Sequence, residues 1–350
     1  MKTIVGLLVC GLLLGCSPVV SSPSNAAGSM TPSPSFDGSS REPSTPVPTE
    51  STAGVAGTGM AWLDANIGLL TGWSGGDPTK GVAWRTTDAG ATWTVVATPG
   101  GRQPAVTISG ATAWLGGSCD STNPACLTGV SVSEDQGVTW RAISTQPVIA
   151  LAFGDRLHGW AVSPTPISSN DGEALLSSSD GGATWINRGS PCAAWTGTPS
   201  AVSFVSARIG WLACNSDVGA GNAIKAVLET QDGGATWEIR ASSPWPGKGP
   251  VVGSLSGSGY LHGLAMTASG AGMNWQGRGT SERTTDAGRN WTGMSATSFD
   301  TVIAVAGWIV DAADWRLYVF NGDLGRDILE TSTDAGLTWA PSPGFRAPSG

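Results

Sequence analysis

The sequence predicts an all-β fold, a propeller of six four-stranded antiparallel blades, on three observations. The first is an octapeptide that recurs six times, beginning at Thr86, Ser133, Ser178, Thr230, Thr284 and Ser332. Every copy has Ser or Thr first, Asp third, Gly fifth and Trp eighth, and all but one have Thr seventh, the exception being Asn290. The second is spacing: the Asp positions 88, 135, 180, 232, 286 and 334 are 47, 45, 52, 54 and 48 residues apart. A period of that length belongs to stacked supersecondary units. The third is composition, because 51 Gly and 17 Trp among 350 residues, with only 13% charged residues, suit short strands joined by many turns.

Each octapeptide reads as a strand, a turn and a second strand. In Ser178-Ser179-Asp180-Gly181-Gly182-Ala183-Thr184-Trp185, the Asp180 carboxylate can accept bonds from the turn's own backbone N–H groups. Gly182 supplies a positive φ. Thr184 and Trp185 then restart a strand, with an indole large enough to wedge between neighbouring sheets. The same roles fall to Asp88 and Trp93, Asp135 and Trp140, Asp232 and Trp237, Asp286 and Trp291, and Asp334 and Trp339.

A second signature lies 19 to 22 residues upstream of each Asp: Gly159-Trp160 and Gly210-Trp211 align with Gly68-Leu69, Ala113-Trp114, Gly263-Leu264 and Asp314-Trp315. Each unit then reads as four strands, in the fourth unit 201–205, 210–214, 225–230 and 236–240, with alternating apolar residues and turn signals between them. Four-stranded units that cannot bury a face alone stack radially. The last outer strand, after Trp339, meets Pro341 and Pro343 almost at once and is weakened by them, so 51–57 is an alternative strand there. A seventh blade remains open.

The octapeptide resembles the Asp-box, or bacterial neuraminidase repeat, in which the box joins the third and fourth strands of a blade and is architectural. The Asp-box propeller is expected over 55–345; with Gly159-Trp160 and Asp180 to Trp185, or Gly210-Trp211 and Asp232 to Trp237, the chain over about 55–340 also resembles the exported, single-propeller assembly factors related to the photosystem II stability factor. It departs from them in having six repeats where they have seven, and an acidic balance where they carry an arginine-rich patch. The resemblance implies a non-catalytic propeller that binds a partner.

Ahead of the propeller, Lys2 and the apolar run 4–14 end in Leu13-Leu14-Gly15-Cys16, which resembles a bacterial lipobox. The run is too short to span a bilayer. Residues 1–15 are therefore expected to be a lipoprotein signal, with Cys16 lipidated. Residues 16–54, rich in Ser, Pro and Thr, cannot bury enough surface to order themselves and read as a disordered tether reaching roughly 30–40 Å. The expected location is outside the cytoplasm, anchored to the bacterial cell membrane, with 346–350 a C-terminal tail.

A net charge of −8 argues against nucleic-acid binding, which needs a basic surface. In an exported domain the remaining cysteines can pair: Cys119 with Cys126 within one loop, and Cys192 with Cys214 on one rim. Neither His158 nor His262 has zinc-ligand spacing, and no metal or cofactor is expected. The expected state is a monomer.

Function is expected on the rim opposite the octapeptides, in loops carried on a rigid scaffold. Trp195, Trp245 and Trp275 fall there without a role in the repeat, and an aromatic ring on a loop can stack on a sugar or anchor a protein. The partner is thus an unidentified protein or glycan. The enzyme alternative is a glycoside hydrolase, sialidase-like or glucanase-like. A sialidase needs an arginine triad and a Tyr nucleophile, whereas the chain has only Tyr260 and Tyr318, and its Ala207-Arg208-Ile209-Gly210 lacks the Pro of the usual Arg-Ile-Pro stretch. A carboxylate pair would have to come from residues such as Asp77, Asp171, Glu173, Asp217 or Asp323, and no spacing selects two of them.

Overall fold

A computed structural model describes residues 56–73, 80–97, 102–118, 128–164, 174–195, 197–219, 222–243, 251–256, 259–276, 281–294, 302–321 and 326–348. The expected signal and tether lie outside them, as do Cys119, Cys126 and Trp245. The described residues form six antiparallel four-stranded sheets, each made of strands consecutive in the chain. Blade one is β1 (Ala56–Trp62), β2 (Gly68–Trp73), β3 (Gly81–Thr86) and β4 (Thr94–Ala97). Blade two is β5 (Arg102–Ser109), β6 (Thr112–Ser118), β7 (Gly129–Ser133) and β8 (Arg141–Ser144). Blade three is β9 (Ala150–Phe153), β10 (Gly159–Val162), β11 (Leu175–Ser178) and β12 (Ile186–Asn187). Blade four is β13 (Thr198–Phe204), β14 (Gly210–Gly219), β15 (Asn222–Thr230) and β16 (Glu238–Ser243). Blade five is β17 (Leu261–Met266), β18 (Gly272–Gln276), β19 (Glu282–Thr284) and β20 (Thr292–Gly293). Blade six is β21 (Val302–Ile309), β22 (Trp315–Asn321), β23 (Arg326–Ser332) and β24 (Ala340–Pro341).

Every octapeptide is the turn between the third and fourth strands, and its polar groups are spent on the turn itself. In the third blade the Ser178 hydroxyl donates to Asp180 Oδ1 (2.8 Å) and accepts the Gly182 N–H (2.9 Å). Thr184 donates its N–H to Asp180 Oδ1 (2.9 Å) and its hydroxyl to Oδ2 (2.6 Å). Asn290 fills the Thr position in blade five by donating its side-chain amide to Asp286 Oδ2 (2.7 Å). The fifth-position glycines have φ between 79° and 93°, a region other residues resist. Those donations, the Thr184 hydroxyl first, lower the Asp180 pKa to about 2.

The Gly-Trp signature proves to be the joint between blades. Trp160, on β10, stacks flat on Phe204 at the end of β13 in the next blade (centroids 3.5 Å apart), and Phe204 meets Trp237 edge-on. The Trp160 indole N–H donates to Gly233 O in the next octapeptide (3.1 Å). Behind Phe204 lies Gly210 of its own blade, where an added Cβ would stand 2.4 Å from the ring. Glycine is therefore the residue that lets each ring lie between its own sheet and the preceding blade. Trp114, Phe153 and Gly159 repeat the sandwich one blade earlier, with centroids 3.8 Å apart.

Two alignments from the sequence need correction. Gly263-Leu264 lies in β17, the innermost strand of blade five, and the second strand begins at Gly272, which pairs with Thr284 as Gly210 pairs with Thr230. The second and third strands together span fewer residues in that blade, 272–284 against 210–230 in blade four, so the regular spacing pointed one strand too early. In blade six Trp315 pairs with Ser332 and takes the glycine position, so Arg316 takes the tryptophan position. Arg316 then lies over Trp62 of blade one, 4.0 Å from the ring centroid, and donates to Ala65 O (3.0 Å). The ring is thus closed by a cation–π contact where the joints from blade two to three and from three to four use stacked rings.

Closure also differs from the strand exchange that 51–57 offered. β24 pairs with β23, and Ala56–Trp62 is the innermost strand of blade one, paired with β2. Cys192 and Cys214 form a disulfide, Cα to Cα 5.7 Å, tying a 3₁₀ turn over Pro191–Trp195 to the second strand of blade four. Gly210→Ala is expected to overfill the Trp160–Phe204 joint and cost about 1–3 kcal/mol of unfolding free energy, measurable by chemical denaturation.

Candidate functional site

Strand direction places all six octapeptides on one rim and the loops after the second and fourth strands on the other. The innermost strands of the six blades enclose a channel of about 250 Å³. Its described lining is small or apolar side chains with Thr58, Thr107, Ser203 and His262, and it includes no Asp, Glu, Lys or Arg. His262 is open to the channel yet ringed by the inner strands, and this enclosure pushes its pKa below the ordinary value. The Tyr260 ring packs beside it at 4.8 Å.

The three rim tryptophans have different fates. Trp275 is not in a loop: it sits in β18, half-buried, where it lines the channel. Its indole occupies space left by two glycines, since a Cβ on Gly263 or Gly307 would fall 1.8 Å or 2.7 Å from the ring. The main chain of Trp195 closes the 3₁₀ turn that Cys192 fastens to Cys214. Trp245 is outside the described residues, as are Asp77, Asp171, Glu173 and Asp323; Asp217 has its main chain in β14. Of the three indoles, only that of Trp275 falls among the described side chains.

Blades four and five are cross-braced near this rim. The Asn215 side-chain amide donates to Leu261 O (2.8 Å), and its carbonyl accepts the Leu261 N–H (2.9 Å). Below that brace lies a buried polar network that sequence reasoning missed. Lys225 Nζ donates to Gln276 Oε1 (2.9 Å), and Gln276 Nε2 donates in turn to Glu282 Oε2 (2.9 Å). Asn274 donates to the same carboxylate (3.1 Å), and the Ser256 N–H donates to its other oxygen (3.0 Å). Burial lowers the Lys225 pKa to about 8, against the pull of Glu282, and raises that of Glu282. The one available signal was a lysine set directly before the apolar run 226–228 of the third strand.

Other buried carboxylates are similarly engaged. Glu229 pairs with Arg240, and Asp327 accepts the Tyr318 hydroxyl (2.7 Å). Among the described residues, no group of three or more His, Cys, Asp or Glu side chains converges as a metal site would require. Among the described residues the arrangement therefore offers a channel lined without charged side chains, with blades four and five braced to each other beside it. Lys225→Met alone is expected to lose about 3–5 kcal/mol by leaving Glu282 uncompensated, whereas Lys225→Met with Glu282→Gln should recover most of that loss. Denaturation of the two variants measures the difference.

No protein-family profile matches the chain, and no curated protein matches it. Among solved structures it is similar to the GH74 xyloglucanase from Xanthomonas campestris, at 16% identity and a TM-score of 0.51 over 83% of this chain. It spans only 45% of that enzyme's chain. It is also similar to YCF48 from Cyanidioschyzon merolae, at 17% identity and a TM-score of 0.48 over 86% of this chain and 88% of that one. A structure of YCF48 bound to a D1 peptide matches at 16% identity and a TM-score of 0.45 over 85% of both chains. At these identities the likeness to the xyloglucanase is one of fold, a β-propeller.

Proposed function

We propose that the chain is an exported propeller, held at the bacterial membrane by a lipidated Cys16 and a flexible tether, that binds a protein or glycan through its rim without catalysis. The observation that carries this reading is the disposition of carboxylates among the described residues. The six octapeptide aspartates are bonded within their own turns, and the described channel lining contains no carboxylate. A retaining or inverting glycosidase needs two carboxyl groups facing one substrate across about 5–10 Å. The Cys192–Cys214 bridge and the Asn215–Leu261 bonds give the rim a fixed base, which lowers the ordering cost of binding there. Membrane attachment rests on the Leu13-Leu14-Gly15-Cys16 sequence.

The test is to apply the full chain to glycans and to candidate envelope proteins, following both binding and product release. Saturable binding without turnover is expected. It should weaken by about tenfold or more on Trp195→Ala or Trp245→Ala, with the melting temperature unchanged. Cys16→Ala should move the protein from the membrane to the soluble fraction. Glycan hydrolysis abolished by one rim Asp→Ala or Glu→Ala change would establish the hydrolase instead.

A further inference from the structure

The octapeptide of each blade needs cover from the blade before it. In blade three the cover includes Ile143 from β8, whose Cδ1 would stand 3.3 Å from a Cβ on Gly182. At the sixth-to-first joint the preceding outer strand is Ala340–Pro341, followed by one further bond from the Ser342 N–H to Leu329 O (2.8 Å). The chain then turns, with the Phe345 N–H donating to Ser342 O (3.2 Å) and Gly344 at φ 77°. Phe345 thereby reaches Gly90 of blade one, where an added Cβ would stand 2.9 Å from its ring. The ring meets Trp93 edge-on at 6.4 Å and Tyr318 at 6.1 Å. Two bonds then fix the following main chain: the Arg346 N–H donates to Gly90 O (3.1 Å), and the Trp93 indole N–H donates to Arg346 O (2.9 Å). Pro348 beyond them is buried.

These are the elements of peptide recognition, main-chain bonds for affinity and a side-chain pocket for specificity. We propose that Gly90, Trp93 and Tyr318 form a peptide-binding notch, filled in cis by residues 345–348, and that this strap is a clasp exchangeable for another segment of the same chemistry. That segment has a phenylalanine followed by a residue whose N–H and C=O are both free to bond. The notch lies at the octapeptide rim, so it is a separate site from the one proposed for the opposite rim.

The experiment compares the full chain with its Phe345→Ala variant, adding the synthetic peptide Pro-Gly-Phe-Arg-Ala-Pro-Ser and reading tryptophan fluorescence and melting temperature. The variant should melt lower, bind the peptide saturably and regain its melting temperature as the peptide is added. The parent chain should bind at least about tenfold more weakly, because apparent affinity falls with the fraction of open notch. A peptide with Ala in place of Phe should bind neither. A folded variant that ignores the peptide, or equal affinity for parent and variant, overturns the proposal. Where Phe345→Ala does not fold, Trp93→Phe keeps the ring and removes the indole donor. Hydrogen exchange at Arg346 should then accelerate, and unchanged exchange overturns the clasp.

Discussion

The rest of the structure depends on the contact between the second strand of one blade and the octapeptide turn of the next. Trp160 fills that contact with its ring on Phe204 and its indole N–H on Gly233 O. The turn is a fixed target because Asp232 is held by both the N–H and the hydroxyl of Thr236. The carboxylate is needed in its ionised form. Since its pKa is lowered to about 2 by those donors, the Thr236 hydroxyl first, its contribution is present above the ordinary carboxylate range and is lost as pH falls toward 2. Four turns go further and hold a non-glycine residue in the left-handed region, Ala89, Gln136, Ala287 and Ala335, at φ of 57° to 61°.

Once the joint is recognised, the differences between blades have physical causes. Where the second-strand residue is Arg316, stacking gives way to a cation–π contact on Trp62. Beyond the outer strand of blade six, Phe345 returns to cover Gly90 of blade one. Between blades four and five Trp211 keeps the bond to the next turn, donating to Ala287 O (3.1 Å), while Met266 and Trp291 take the place of a stacked ring in its cluster. That seam also carries the Lys225–Gln276–Glu282 network, which costs desolvation at both charged ends.

The fold was legible because the residues that make it are local and repeated. A turn that consumes its own Asp, Gly and Thr announces itself in eight residues, and six copies set the blade count. What misled was spacing used without register: Gly263-Leu264 lay at the right distance from Asp286, yet pairing assigns the second strand to Gly272. The Cys192–Cys214 bridge followed from antiparallel strand order, which put both ends on one rim. The candidate site was far less legible. Trp275 looked like a loop residue because the glycines at 263 and 307, distant in sequence, make its niche. The Lys225 network spans two blades and the linker between them, and no local pattern encodes it.

On the proposed function, the octapeptide aspartates hold the blades and do no chemistry. The most direct test replaces Asp88, Asp135, Asp180, Asp232, Asp286 and Asp334 singly by Ala, measuring melting temperature and ligand binding or turnover for each. Every replacement is expected to lower the melting temperature by a comparable amount, and each variant still folded at the assay temperature to keep full binding. One aspartate whose loss abolishes activity while leaving the melting temperature unchanged would contradict it.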